Sequence, residues 1–143
     1  MDWNLKRILA LPAGLGVAMA LTMTVERAGH ALLPAPPPPA TQDPQAFATY
    51  LASLPVSAIL MVLLAHAAGT FAGAFTARRM GGPAGSRLAL VVGLVMVAGA
   101  VANLLTIPHP GWFALADIAL IGGAAWLATG MGISSTIHNG AIT

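Results

Sequence analysis

From residue 8 to residue 33 the only ionisable side chains are Glu26, Arg27 and His30. A helix rising ~1.5 Å per residue needs about 20 apolar residues to cross a hydrocarbon core of ~30 Å, so a run of this length is matched to lipid. Three further runs have the same character, at residues 55–77, 88–107 and 112–133. The joint "ARRMGGPAGSR" separates the second from the third, and "IPHPGW" turns the third into the fourth. Proline lacks a backbone donor and glycine lacks a Cβ, so both joints are places where helices stop. Only 7% of the 143 residues are charged and 57% are hydrophobic, against roughly 25% charged in soluble proteins. Ten charged side chains cannot coat a water-soluble surface. The expected fold is all-α: an integral membrane four-helix bundle forming a single domain over residues 1–143.

The same composition excludes several classes of function. The pI near 10.0 arises from a net charge of only +2. No basic patch faces a phosphate backbone, and nucleic acid is not an expected partner. With no cysteine there is no disulfide, thiolate zinc site or cysteine nucleophile. No phosphate loop, zincin signature or nucleophile elbow is present, so the chain is not read as an enzyme, and neither cofactor nor metal is expected. Lys6 and Arg7 before an apolar region, with Ala18-Met19-Ala20 as a small-x-small site, resemble a signal peptide. Hydrophobicity continues past that point, and the segment is read as a retained span.

Five of the six cations, Lys6, Arg7, Arg78, Arg79 and Arg87, fall before the first run or between the second and third. The excess of Lys and Arg in cytoplasmic loops then puts both termini in the cytoplasm, with a bacterial inner membrane as the expected location. Arg27 lies near the outer end of the first helix, where its stem reaches headgroups. The outer loop, residues 34–54, opens with "PAPPPPA", a stiff polyproline II spacer. Asp43 as N-cap and Pro44 at the first helical position begin an amphipathic segment, 44–53, expected to lie on the outer surface. One longer tilted helix that includes the second run is the alternative. Pro12 is expected to kink the first helix.

Ala65, Gly69, Gly73 and Ala77 form a stripe at four-residue spacing on the second helix, suited to close packing within the chain or between copies. Polar groups in the spans sort by depth when each helix is measured from its own outer boundary. His30 lies ~4 to 5 Å in, Asn103 ~6 Å, Asp117 ~7 to 8 Å and Glu26 ~10 Å, with His109 just above them in the loop. These five form a candidate polar layer, while His66 at ~16 Å stands apart near the midplane. Such a layer either fastens helices by hydrogen bonds or holds a proton or cation. A haem between His30 and His66 fails because the two differ by ~12 Å in depth.

At "VERAGHALLP", "HAAGTFAGAF" and "NLLTIPHPGWF" the chain resembles a loose group of small bacterial four-helix membrane proteins to which no activity is attached. The group shares an E-x-x-G-H stretch before a proline-rich outer loop, a glycine-rich second span, and a Pro-His-Pro turn before an aromatic pair. The resemblance implies four spans and assigns no catalytic or ligand role. Sequence reasoning therefore favours a non-catalytic accessory or assembly subunit, or a self-associating scaffold. Its expected partners are membrane lipid together with other membrane subunits or further copies of itself. The competing reading is a minimal proton or cation transporter or channel built on the polar layer.

Overall fold

The computed structural model describes residues 3–33, 43–107 and 109–130, together with 36 and 39. The polyproline spacer expected at 34–40, apart from 36 and 39, and the last residues, 131–133, of the fourth expected helix lie outside the described residues. Every regular element among them is helical: α1 (Trp3–Leu32), α2 (Pro44–Ser53), α3 (Val56–Gly81), a 3-10 turn (Gly82–Ala84), α4 (Gly85–Thr106) and α5 (Gly111–Gly130). Three helical stretches are long and apolar enough to cross a membrane: Asn4–Leu32, Val56–Thr106 and Gly111–Gly130. The middle one is folded back on itself as α3 and α4.

Local chemistry explains most boundaries. α1 starts before its apolar run because Asn4-Leu5-Lys6-Arg7 contains no helix breaker, and it continues through Pro12, whose ring lies on an exposed face. Asp43 Oδ1 accepts a hydrogen bond from the Gln45 backbone N–H at 3.0 Å, with Pro44 opening α2. Leu54 is extended, as a residue before proline tends to be, so α2 and α3 are separate helices and the single tilted helix is excluded. The joint expected at residues 78–87 is largely helical. Arg78 and Arg79 continue α3, and reversal falls to Gly82, whose φ of 58° a side chain would oppose.

Large apolar side chains point outward and small ones inward, the reverse of a soluble core. Leu64, Leu94, Leu105, Leu115 and Trp126 are exposed, while Ala18, Ala74, Ala77, Ala89, Val92, Ala125 and Ala128 form the interior cluster. The stripe Ala65, Gly69, Gly73, Ala77 is buried within the chain. Ala65, Gly69 and Gly73 lie against antiparallel α1, where a Cβ on Gly69 would come within 2.7 Å of the Ala18 carbonyl oxygen. Gly14 meets the Gly73 carbonyl at the same distance, and Thr22 Oγ1 donates to the Ala65 carbonyl at 3.3 Å. This register sets Lys6 and Arg7 at the same end of the bundle as Arg78, Arg79 and Arg87, named the inner end for its basic residues, with the end beside α2 named the outer end.

α3 and α5 run parallel. The Arg78 guanidinium reaches the carbonyls of Ala128 and Thr129 on the last turn of α5, where a cation complements the helix dipole. α4 packs on α3 and α5, with Gly93 against Ala125. α1 and α4 approach at their inner ends, where Val92 faces Gly14, and this is the loosely closed side of the bundle.

The glycine contacts are to backbone atoms, which cannot rotate away. Gly69→Ala and Gly73→Ala should each cost about 1–3 kcal/mol by overpacking and lower the melting temperature of the detergent-solubilised protein. Gly122→Ala, where nothing lies near an added Cβ, should leave it unchanged.

Candidate functional site

Three ionisable residues from three helices meet in the interior. His66 of α3 approaches Asp117 of α5 at 2.8 Å, Nδ1 to Oδ1, and Glu26 of α1 at 3.6 Å, Nε2 to Oε1. The imidazole thus lies between two carboxylates, one on each ring nitrogen. Asp117 is 1% exposed, while the Glu26 side chain keeps 34% of its surface. The backbone makes this convergence natural, because helical side chains lean toward the N-terminus of their helix. α1 begins at the inner end, so Glu26 leans inward; α3 begins at the outer end, so His66 leans outward to meet it.

This grouping corrects the one expected from depth. His66 does not stand apart from the polar layer but is its centre. His66 bonds Asp117 across an offset of 51 positions, and Arg78 reaches Ala128 across 50, so one register links α3 and α5. Gly111 is then level with Leu60, and α3 begins about one turn, ~6 Å, farther out. Measuring each helix from its own outer boundary used unequal starting heights. A shared level brings His66 to Asp117.

His30 and His109 are placed elsewhere. With Glu26, Leu54, Met61 and Phe113 they line a small cavity of about 80 Å³ at the outer end, against α2. His109 Nδ1 donates to the Ile107 carbonyl at 2.7 Å and its ring stacks on Phe113, with centroids 4.8 Å apart, so that nitrogen carries a proton. Asn103 of α4 lines a larger cleft of about 530 Å³ between α1 and α4, into which Glu26, His66 and Thr22 also face. Glu26 borders both spaces. Among the described residues, no three His, Asp or Glu side chains are arranged to hold a metal ion.

Two features escaped the sequence reading. Thr70, one turn inward of His66, is fully buried, and its hydroxyl has no hydrogen-bond partner among the described residues. Asp117 shares the buried face of α5 with Phe113, Ile121, Ala124 and Ala128. That spacing was visible in the sequence and marks Asp117 as inward-facing whatever its depth.

Chemically, two carboxyl groups and one imidazole at one place can share protons and attract positive charge. Asp117 is enclosed and bonded to His66, while Glu26 stands farther off and faces the cleft.

His66→Leu removes the partner of a buried carboxyl and should cost about 3 kcal/mol in a detergent melt, as Asp117→Leu should from the other side. The double variant should lose less than the two together by about 0.5–3 kcal/mol. Strict additivity would mean the 2.8 Å contact is not formed. Thr70→Val, which removes an unpartnered hydroxyl at nearly constant shape, should be neutral or stabilising. No family model matches the chain, and neither does any curated protein or solved structure.

Proposed function

We propose that this chain is a small membrane transporter that moves protons, with Glu26 as the residue that gains and loses the proton. The observation that carries this reading is the His66 imidazole held between Asp117 at 2.8 Å and Glu26 at 3.6 Å, within the apolar stretches of three helices. Ionisable groups at such depth are costly and tend to mark ion or proton paths. A layer that merely fastens helices needs only neutral hydrogen bonds, of the kind Thr22 makes to Ala65. It has no use for two carboxylates and an imidazole, one of the carboxylates opening on a cleft. In this reading α1, α3, α4 and α5 each span the inner membrane of a bacterium. Both termini are cytoplasmic, on the side of Lys6, Arg7, Arg78, Arg79 and Arg87, and α2 lies on the outer surface. The outer cavity beside His30 and His109 is the entry for protons. Membership in the loose four-helix group would add the fold and no activity.

A non-catalytic accessory subunit or scaffold remains the second reading. Its supporting stripe on α3 is occupied by α1, but the exposed face of α5 sets Gly122 one turn from Trp126, which is 68% exposed. That pairing of a groove and a ridge suits a neighbouring helix. Stable co-purification with a membrane partner in mild detergent would support it, and a monomer without partners would count against it.

For the transporter, wild-type protein in proteoliposomes should collapse an imposed pH gradient, followed with an entrapped pH dye. Glu26→Gln should reduce the rate to that of empty vesicles while leaving the melting temperature within a few degrees of wild type. Equal rates for wild type, Glu26→Gln and empty vesicles would remove the reading.

A further inference from the structure

The cleft between α1 and α4 has a character that proton movement alone does not require. At about 530 Å³ it lies within the roughly 300–1,000 Å³ range of small-molecule sites, whereas a proton needs only a file of water. Its walls include Met19 and Met23 from α1 and Met96 from α4, three of the seven methionines in the chain. Methionine is flexible and polarisable, and surfaces built from it adapt to ligands of varied shape. Its polar floor comprises Glu26, His66, Thr22 and Asn103. The cleft lies outward of the Val92 contact with Gly14, and Met19 and Met23 at its rim are about half exposed, so it opens sideways between two apolar helices. A molecule dissolved in lipid reaches it without passing through water.

Charge then selects the occupant. The groups facing the site are Glu26 from α1, His66 from α3 and the neutral Asn103 from α4, with Asp117 of α5 buried behind His66 and bonded to it. Arg27, one turn outward of Met23 on α1, is exposed beside the rim and does not line the cleft, and His30 and His109 line the separate outer cavity. Two carboxyl groups against one imidazole make the site acidic on balance, since one imidazolium can offset only one carboxylate. An anion would be repelled. We propose that the α1–α4 cleft binds a lipophilic organic cation, whose charge sits against Glu26 and whose apolar body lies among the methionines, and that the cation exchanges for the Glu26 proton. This rests on the proton-transport reading for its coupling, but the cation site itself stands on the cleft and its charge.

The exchange balances: one monovalent cation enters as one proton leaves the Glu26 carboxyl, with no bond formed to the cation and no change of oxidation state. Because a proton is given up for each cation taken in, lowering the pH weakens cation binding.

Tetraphenylphosphonium is the probe, and tetraphenylborate, of similar shape and opposite charge, is its control. Purified wild-type protein in mild detergent should bind tetraphenylphosphonium saturably and release up to one proton per cation into weakly buffered solution. Tetraphenylborate should bind at least tenfold more weakly. Glu26→Gln should lose both cation binding and proton release. Gly99→Leu, which fills the cleft from α4 without touching a charge, should weaken binding at least tenfold, whereas Gly122→Leu on the lipid face of α5 should bind as wild type does. Equal uptake of the two probes would mean a cleft that holds any apolar body, such as a lipid chain, and would overturn the proposal. Binding unaffected by Glu26→Gln would overturn it as well. A protein that collapses a pH gradient but ignores tetraphenylphosphonium would refute the cation site and leave proton transport standing; cation binding without proton flux, measured with tetraphenylphosphonium on both sides of the membrane, would do the opposite.

Discussion

A carboxylate held among apolar helices has to find its counter-charge inside the protein, because lipid supplies none. Asp117, 1% exposed and bonded to His66 at 2.8 Å, is where this bundle meets that demand. The contact ties α3 to α5 in the outer half of both helices, and Arg78 ties the same two helices again near their inner ends through carbonyls of α5. Two anchors with nearly the same sequence offset leave α5 little freedom to slide or turn on α3. The position of Glu26 matters only because that pair is fixed: an imidazole already committed on Nδ1 has one nitrogen left to offer.

Close backbone approach on the other side of α3 makes the third member available. Gly14, Gly69 and Gly73 let α1 lie directly on α3, with carbonyl oxygens where side chains would otherwise be. Such a seam fixes the height of α1 to within a fraction of a turn, which is the precision a 3.6 Å approach between Glu26 and His66 requires. Small-residue packing and the polar trio are therefore one arrangement. The seam sets the register, and the register delivers the carboxylate. α1 is held tightly to α3 and only loosely to α4, and that imbalance leaves the cleft beside Glu26.

The apolar runs made the long helices legible, since nothing but a helix satisfies its own backbone over such lengths in lipid. Asp43-Pro44 and Leu54-Pro55 marked the limits of α2 because capping and pre-proline sterics act locally. Relative height was not legible in the same way. His66 was set apart from Asp117 because each helix was measured from its own start, and α3 begins about a turn farther out than α5. Face was the better guide. His66 lies on α3 between Ala65, which faces α1, and Thr70, one turn along among the fully buried residues, while Asp117 shares the buried stripe of α5. Helical periodicity says which way a residue points without reference to where the membrane begins. His30 and His109 show the limit of both guides, since residues close in height and near one another in type ended in a different cavity.

Glu26 and Asp117 have the same carboxyl chemistry and touch the same imidazole, yet the fold gives them unlike tasks. Asp117 is enclosed and within hydrogen-bond distance, so its charge is compensated in place and moving it would mean breaking the contact between α3 and α5. Glu26 stands 3.6 Å away with a third of its side chain exposed, bordering the outer cavity on one side and the cleft on the other. The proposed trade of one positive charge for another needs that looser geometry. Held as tightly as Asp117, it would keep its partner; without His66 and Asp117 beside it, it would have no fixed charge against which to set the exchange.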